Sequence, residues 1–140
     1  VENGGMVYHD WAEKKELLPY VRFLKTDAAE AEILTGFTDR AEAARQLYQW
    51  GAKEILITHN TEVLVYDGRE IYTYPIRARN LSGRTGRGDT TFAGYINERL
   101  TADIPTALRF ATALVSLKME TPGPFTGTRA DVDAYLKEFY

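Results

Sequence analysis

The sequence contains no cysteine among its 140 residues. Disulfides and thiolate metal sites are therefore excluded. A chain without cysteine is consistent with the reducing cytoplasm, which is the location we expect.

The sequence also lacks an excess of charge of either sign. It has 17 Lys and Arg against 20 Asp and Glu, for a formal net charge of −3. Surfaces that bind DNA or RNA normally carry a strong basic excess, so we expect no nucleic-acid partner. No apolar run approaches the roughly 20 residues that span a bilayer, so we expect no membrane partner.

Short β-rich runs alternate with amphipathic helical patterns along the chain. Asp27 is a good N-cap, Glu30 completes a capping box and Gly36 ends the helix that they predict. Asp67-Gly68 predicts the turn of a hairpin. The predicted order is a strand at 21–26, helices at 27–36 and 38–51, a strand at 53–59, a hairpin at 62–76 and three helices after residue 88. This order indicates an α/β layer architecture.

A glycine-rich loop precedes the first of those three helices, in the stretch LSGRTGRGDTTFAGYI (81–96). Glycines let the backbone approach an anion at a helix start, where unpaired N–H groups and the positive end of the helix dipole lie. Asp89 at the first helical position is favoured as a carboxylate by the same dipole. The residues alone leave two interpretations open, an anion site or a tight turn with a capping aspartate. Neither the Walker A spacing nor the G-x-G-x-x-G spacing is present.

The stretch RTGRGDTTFAGYI resembles the signature of the ribokinase-like (PfkB) carbohydrate kinase family, which runs D-T-x-G-A-G-D into a helix. Three further segments resemble family motifs in the family's order: LKTDAAEAEILTG, GAKEILITHNTEVLVYDG and ALRFATALVSLKMETPG. The resemblance covers nearly the whole chain. It implies the ribokinase-like three-layer α/β/α sandwich, of which this chain would be the C-terminal half.

The resemblance also implies an ATP-dependent carbohydrate kinase that acts on a sugar or polyol. Asp89 matches the catalytic base, which would take the proton of the attacking hydroxyl. The amides of Gly86, Arg87 and Gly88 would form the anion hole for the transferred phosphoryl group. The remaining candidate residues are Thr58, Asn60 and Thr85 for the nucleotide, with Glu30 and Asp27 for Mg²⁺ through water.

Several positions depart from the family pattern. Gly83 and Arg84 stand where the family has Asp and Thr, and Asn60 and Val63 replace two glycines of the strand motif. These changes leave nucleotide affinity and donor choice open. Arg87 replaces the usual Ala, and we expect its side chain to face solvent. We interpret His59 as a packing or surface residue, and Glu30 can serve its helix cap as well as a metal ion.

The chain begins at Val1 and matches only later motifs of the family. We therefore expect residues 1–140 to be the C-terminal portion of the kinase domain, with the N-terminal substrate and lid part absent and the segment inactive alone. A sheet edge exposed in this portion could pair with that of a second copy, so a homodimer is a possible assembly. The alternative function is a non-catalytic relative that binds a ligand or partner. A third hypothesis, an adhesion-type peptide at Arg87-Gly88-Asp89, is set aside because the family explains the loop.

Overall fold

The computed structural model describes residues 2–3 and 6–140. Two short strands, β1 (Glu2–Asn3) and β2 (Met6–Val7), pair antiparallel. The remaining strands are β3 (Phe23–Asp27), β4 (Glu54–Thr58), β5 (Glu62–Tyr66) and β6 (Ile71–Pro75). The helices are α1 (Lys14–Leu17), α2 (Ala28–Thr35), α3 (Arg40–Gln49), α4 (Arg87–Arg99), α5 (Ile104–Lys118) and α6 (Arg129–Phe139), with a 3₁₀ turn at Leu18–Tyr20.

The main sheet has the strand order β3-β4-β5-β6. Strands β3 and β4 run parallel, in a register that pairs Phe23 with Glu54 and Asp27 with Thr58. All five residues of β4 are buried, as expected for a strand covered on both faces. The predicted α/β class is therefore confirmed.

The chain comprises two compact units, Val1–His59 with Leu64–Tyr72, and Asn60–Val63 with Thr73–Tyr140. The first unit has an apolar core in which Leu18, Leu47, Ile55 and Ile57 are fully buried. In the second unit, Phe110, Ala113, Val132 and Tyr135 form an apolar cluster between α5 and α6.

The caps of α2 fall where the sequence predicts them. Asp27 caps α2 through the amide of Glu30, and Gly36 ends that helix in the left-handed conformation with φ +79°. Asp39 caps α3 through the amide of Glu42. These short-range signals are reliable because each satisfies backbone groups that the helix itself leaves unpaired.

The predicted hairpin differs in its turn. Strands β5 and β6 are neighbours, but four residues (67–70) join them rather than a tight Asp67-Gly68 pair. Oδ1 of Asp67 accepts the amides of Arg69 and Glu70 at 2.8 and 2.9 Å. The aspartate side chain thus supplies the turn bonds that the backbone supplies in a two-residue loop.

In the part of the chain that the structure describes, none of the helices combines the length and apolarity needed to cross a bilayer.

Candidate active site

The glycine loop ends at an N-terminus that no side chain caps. Gly86 is the N-cap residue of α4 and has φ +79°. Helices α2, α3, α5 and α6 each begin with an Asp or Thr side chain on a backbone amide, whereas α4 has no such bond. The amide of Arg87 makes a long bond, 3.3 Å, to the carbonyl of Arg84. The first turn of α4 therefore has the geometry of an anion-receptive helix start.

Gly83 is held against the end of α5. Its N–H donates to the carbonyl of Met119 at 2.8 Å, and a Cβ at this position would lie 1.8 Å from the carbonyl oxygen of Thr121. Beside it, the hydroxyl of Ser82 donates to the carbonyl of Glu120 at 2.9 Å. The absence of a side chain at position 83 is thus a steric requirement of this loop.

Lys118, a residue that the sequence analysis did not single out, lies beneath the loop. It is the last residue of α5 and only 2% of its surface is exposed. Its Nζ donates to the carbonyl of Gly83 at 2.6 Å and also to the carbonyl of Thr85. The available signal was helical periodicity, because residues 108, 111, 115 and 118 share one buried stripe of α5.

Asp89 is the third residue of α4 rather than the first, as the sequence predicts, because the helix already begins at Arg87; its side chain is exposed. In the loop that precedes α4, Nη2 of Arg84 donates a hydrogen bond to Oδ1 of Asn60 at 3.2 Å. Both Arg84 and Asn60 are exposed and belong to the same unit. This unit therefore contains a carboxylate, a guanidinium and a glycine-rich helix start close together in sequence.

A charged network supports the other side of the loop. The carboxylate of Glu120 accepts two hydrogen bonds from the Arg79 guanidinium, at 2.6 and 2.7 Å, and one from the Tyr135 hydroxyl at 3.2 Å. The bonds from Arg79 hold the pKa of Glu120 below its usual range. Burial, and secondarily the negative charge of Glu120, raise the pKa of Tyr135 to about 12. Residue 120 thus joins the loop through its carbonyl and α6 through its side chain.

Asp27, Glu30 and Thr58 belong to the first unit. Asp27 and Thr58 end neighbouring parallel strands in register, and Asp27 and Glu30 form a reciprocal capping box with bonds of 2.7 and 2.8 Å. Tyr8 lies near both carboxylates, and its pKa is raised by burial first and by their negative charge second. The carboxyl ends of β3 and β4 therefore present two acidic side chains and the buried Thr58 at one edge.

The acidic pair has the donor chemistry of a water-mediated magnesium site. The cap uses Oδ1 of Asp27 and Oε2 of Glu30, so one oxygen of each carboxylate is not needed for the cap. Among the described residues, no three metal-ligating side chains come together. Mg²⁺ keeps several waters and often takes only one or two carboxylates from the protein, so this pair fits such an ion.

The other flagged residues have varied environments. His59 and the Arg87 side chain are half-buried, while Val63 is fully buried in β5. The burial of Val63 explains the β-branched residue there, since such a residue packs well in a buried strand. Arg87 is thus less exposed than a side chain that faces solvent freely.

The fold and the loop define an α/β protein with a glycine-rich loop at an uncapped helix start. Residues 5–130 match the pfkB family carbohydrate kinases, and the chain belongs to this family. A cytidine kinase of Thermococcus kodakarensis is 38% identical over 85 residues, which are 59% of this chain and 31% of that protein.

Solved structures give the same fold. A pyrophosphate-dependent kinase in the ribokinase family, complexed with a pyrophosphate analog and myo-inositol, is 42% identical with a TM-score of 0.84, covering 92% of this chain and 47% of that one. Arabidopsis thaliana ribokinase, complexed with ribose and ATP, is 25% identical with a TM-score of 0.80, covering 88% of this chain and 43% of that one. The predicted ribokinase-like fold is confirmed. The chain spans less than half the length of these relatives.

Proposed function

We propose that the complete protein transfers a phosphoryl group from a phosphate donor to a hydroxyl of a sugar or sugar-like small molecule. The observation that carries this proposal is the uncapped start of α4, where Gly86 precedes the exposed Asp89. Membership of the carbohydrate kinase family gives this arrangement its chemical meaning.

In the proposed reaction, Asp89 accepts the proton of the acceptor hydroxyl as its oxygen attacks the terminal phosphorus of the donor. The bond from that phosphorus to the donor's leaving oxygen breaks, and the remaining phosphate leaves with its electron pair. The amides at Gly86, Arg87 and Gly88 stabilise the charge on the moving phosphoryl oxygens. A carboxylate positioned in this way contributes about 10²- to 10⁴-fold to the rate.

The donor in this proposal is ATP, as in the complexed Arabidopsis thaliana ribokinase. Thr58, Asn60 and Thr85 are the proposed nucleotide-side residues. Mg²⁺ would be held through water by Asp27 and Glu30 and would neutralise charge on the donor phosphates.

Pyrophosphate is the second candidate donor. It is favoured by the 42% identity to a pyrophosphate-dependent kinase. The contact of Arg84 with Asn60, at 3.2 Å, places a guanidinium beside the loop, where it suits either donor. A guanidinium recognises phosphate oxygens whether or not a nucleoside is attached.

The acceptor of the phosphoryl group is proposed only as a class, a sugar or sugar-like alcohol. The similar proteins act on or bind cytidine, myo-inositol and ribose, according to their names. The proposal places the residues that choose among such alcohols in the N-terminal part of the complete protein, with 1–140 as its C-terminal portion. A cytoplasmic location and a homodimer remain predictions, and neither a nucleic acid nor a membrane is a proposed partner.

The test is a transfer assay on the full-length protein, with ATP or pyrophosphate as donor and cytidine, myo-inositol or ribose as acceptor. Asp89→Asn should lower kcat by at least about 10²-fold while the donor still binds in calorimetry. Asp133→Asn, an exposed aspartate of α6, serves as the control. A non-catalytic relative would show donor or ligand binding without transfer in the wild type, and that result would overturn the proposal.

A further inference from the structure

The ammonium of Lys118 is enclosed by backbone carbonyls rather than by acidic side chains. It contacts the carbonyl oxygens of Gly83 (2.6 Å) and Thr85, and 98% of the residue's surface is covered. None of the ion pairs within the described ranges, 2–3 and 6–140, involves Lys118. A buried ammonium is costly unless hydrogen bonds compensate it, so its position indicates a specific task.

The geometry of the peptide bond indicates what this task is. In a planar trans peptide, the carbonyl of one residue and the N–H of the next point in opposite directions. The Thr85 carbonyl points at Lys118, so the N–H of Gly86 points away from it, on the exposed side of the loop. The same relation fixes the N–H of Arg84 through the carbonyl of Gly83.

We propose that Lys118 is a positioning residue, whose ammonium holds the carbonyls of Gly83 and Thr85 so that the amides of the following residues face the phosphate anion. This inference rests on the proposed function. Lys118 itself touches neither donor nor acceptor in it. The cation also polarises the two peptide groups, which makes their N–H groups stronger donors.

The end of α5 reinforces this arrangement. A cation at a helix C-terminus is favoured by the dipole, and Lys118 is the final residue of α5. The N–H of Gly83 donates to the carbonyl of Met119 at 2.8 Å, so the loop is also joined directly to the end of α5. Removing the charge would free the two carbonyls to rotate, and each amide would rotate with its carbonyl.

The first experiment compares Lys118→Met, which keeps the length of the side chain and removes its charge, with Lys137→Met at an exposed site of α6. Both are made in the full-length protein. Lys118→Met should lower kcat on the order of 10²-fold, the effect of losing one oriented anion-hole donor. The KM of the acceptor should stay within about twofold, because the loop acts on the transition state. Unchanged kcat in folded Lys118→Met would overturn the inference.

The second experiment uses Lys118→Ala, which leaves a space lined by carbonyl oxygens. Ammonium or potassium ions fit between such oxygens, whereas tetramethylammonium cannot donate to them and is too large. Ammonium should restore about tenfold or more of the lost kcat and raise the Tm of this variant, since an ion bound only by the folded state stabilises it. Tetramethylammonium at equal ionic strength should do neither.

The Tm measurement requires no activity, so it separates the two proposals. A wild type that transfers no phosphoryl group, together with an ammonium-dependent Tm in Lys118→Ala, would overturn the kinase proposal and support the positioning role. An active wild type with no ammonium effect on Lys118→Ala would overturn the positioning role alone. If Lys118→Ala is unfolded, ammonium should restore its folding, and a chain that stays unfolded at every ammonium concentration contradicts the proposal.

Discussion

The guanidinium of Arg84 donates a hydrogen bond to the side-chain oxygen of Asn60, across 3.2 Å. Each of these residues departs from the motif that its segment otherwise follows, and the two departures meet in space. The contact fixes a positive charge next to the glycine loop. We infer that Arg84 recognises phosphate oxygens of the donor and that Asn60 orients it.

Replacing Arg84 with Met in the full-length protein should raise the KM for the donor about tenfold or more, because a hydrogen bond to a charged group contributes roughly 1.5–3 kcal/mol. The kcat should change little. Asn60→Ala should have a smaller effect, and the double variant should resemble Arg84→Met, since Asn60 acts through Arg84. Initial-rate kinetics with ATP and with pyrophosphate measure both constants.

Arg45→Met is the matched control, because Arg45 is an exposed arginine that pairs with Glu42 on α3. Fully additive effects of the two substitutions would show that Asn60 does not work through Arg84. An unchanged donor KM in Arg84→Met would remove the phosphate role altogether.

The glycines of the loop should differ sharply in what they tolerate. Gly86→Ala meets no atom within 4 Å, so only its φ of +79° opposes a side chain, at a cost of about 1–2 kcal/mol. Gly83→Ala places Cβ 1.8 Å from the Thr121 carbonyl oxygen, and backbone must move. We expect Gly83→Ala to reduce the free energy of unfolding clearly more than Gly86→Ala does, as measured by urea denaturation.

Gly123→Ala is the control for backbone strain, since Gly123 has φ +88° and also meets nothing within 4 Å. It should match Gly86→Ala in stability and leave transfer activity unchanged. Equal stability losses at Gly83 and Gly86 would contradict the steric account of the loop.

The sequence predicts local structure well where one residue satisfies its neighbour's backbone. Asp27, Glu30 and Gly36 bound α2 as expected, because their bonds reach only three or four residues. Lys118 illustrates the limit. Its partners lie 33 and 35 residues away, and no local pattern distinguishes an ammonium that binds carbonyls from one that faces solvent.

The departures from the family motif show the same limit. Judged by the family motif, Gly83 is a missing aspartate. The structure, however, shows backbone packed where a side chain at this position would lie. Arg84 and Asn60 are separate anomalies in sequence and one contact in space. Sequence reasoning finds the loop, and the tertiary structure supplies what holds it.

Glu30 allows a test of metal binding apart from helix capping. Glu30→Gln keeps an acceptor for the Asp27 amide, since Gln also serves in capping boxes, and removes the charge. In the full-length protein we expect the Mg²⁺ concentration for half-maximal activity to rise on the order of tenfold, as for other groups that orient a metal's water ligands. Thermal stability should change little.

The second capping box of the chain provides the control. In α6, the side chain of Thr128 accepts a hydrogen bond from the amide of Asp131, and the side chain of Asp131 accepts one from the amide of Thr128. Asp131→Asn removes a similar charge far along the chain and should leave the Mg²⁺ requirement unchanged. The metal role of Glu30 fails if both variants respond to Mg²⁺ alike.

Acid should weaken the protein partly through Glu120. Arg79 lowers the pKa of this carboxyl in the folded state, so the ion pair stabilises fully above the ordinary value of 4.5. That contribution is lost as the pH falls through the lowered folded value. Glu120→Gln keeps the shape of the side chain and removes its titration. The free energy of unfolding of this variant should therefore fall less steeply than that of the wild type between about pH 5 and about pH 3.

Urea denaturation at a series of pH values measures this slope. Glu32→Gln, an exposed carboxylate of α2, is the control and should follow the wild type. Arg129 also lowers the pKa of Glu98, and Glu98 is present in both the Glu120→Gln variant and the control. The difference between Glu120→Gln and the control therefore isolates the Arg79 pair, and identical slopes would show that this pair does not support the loop at neutral pH.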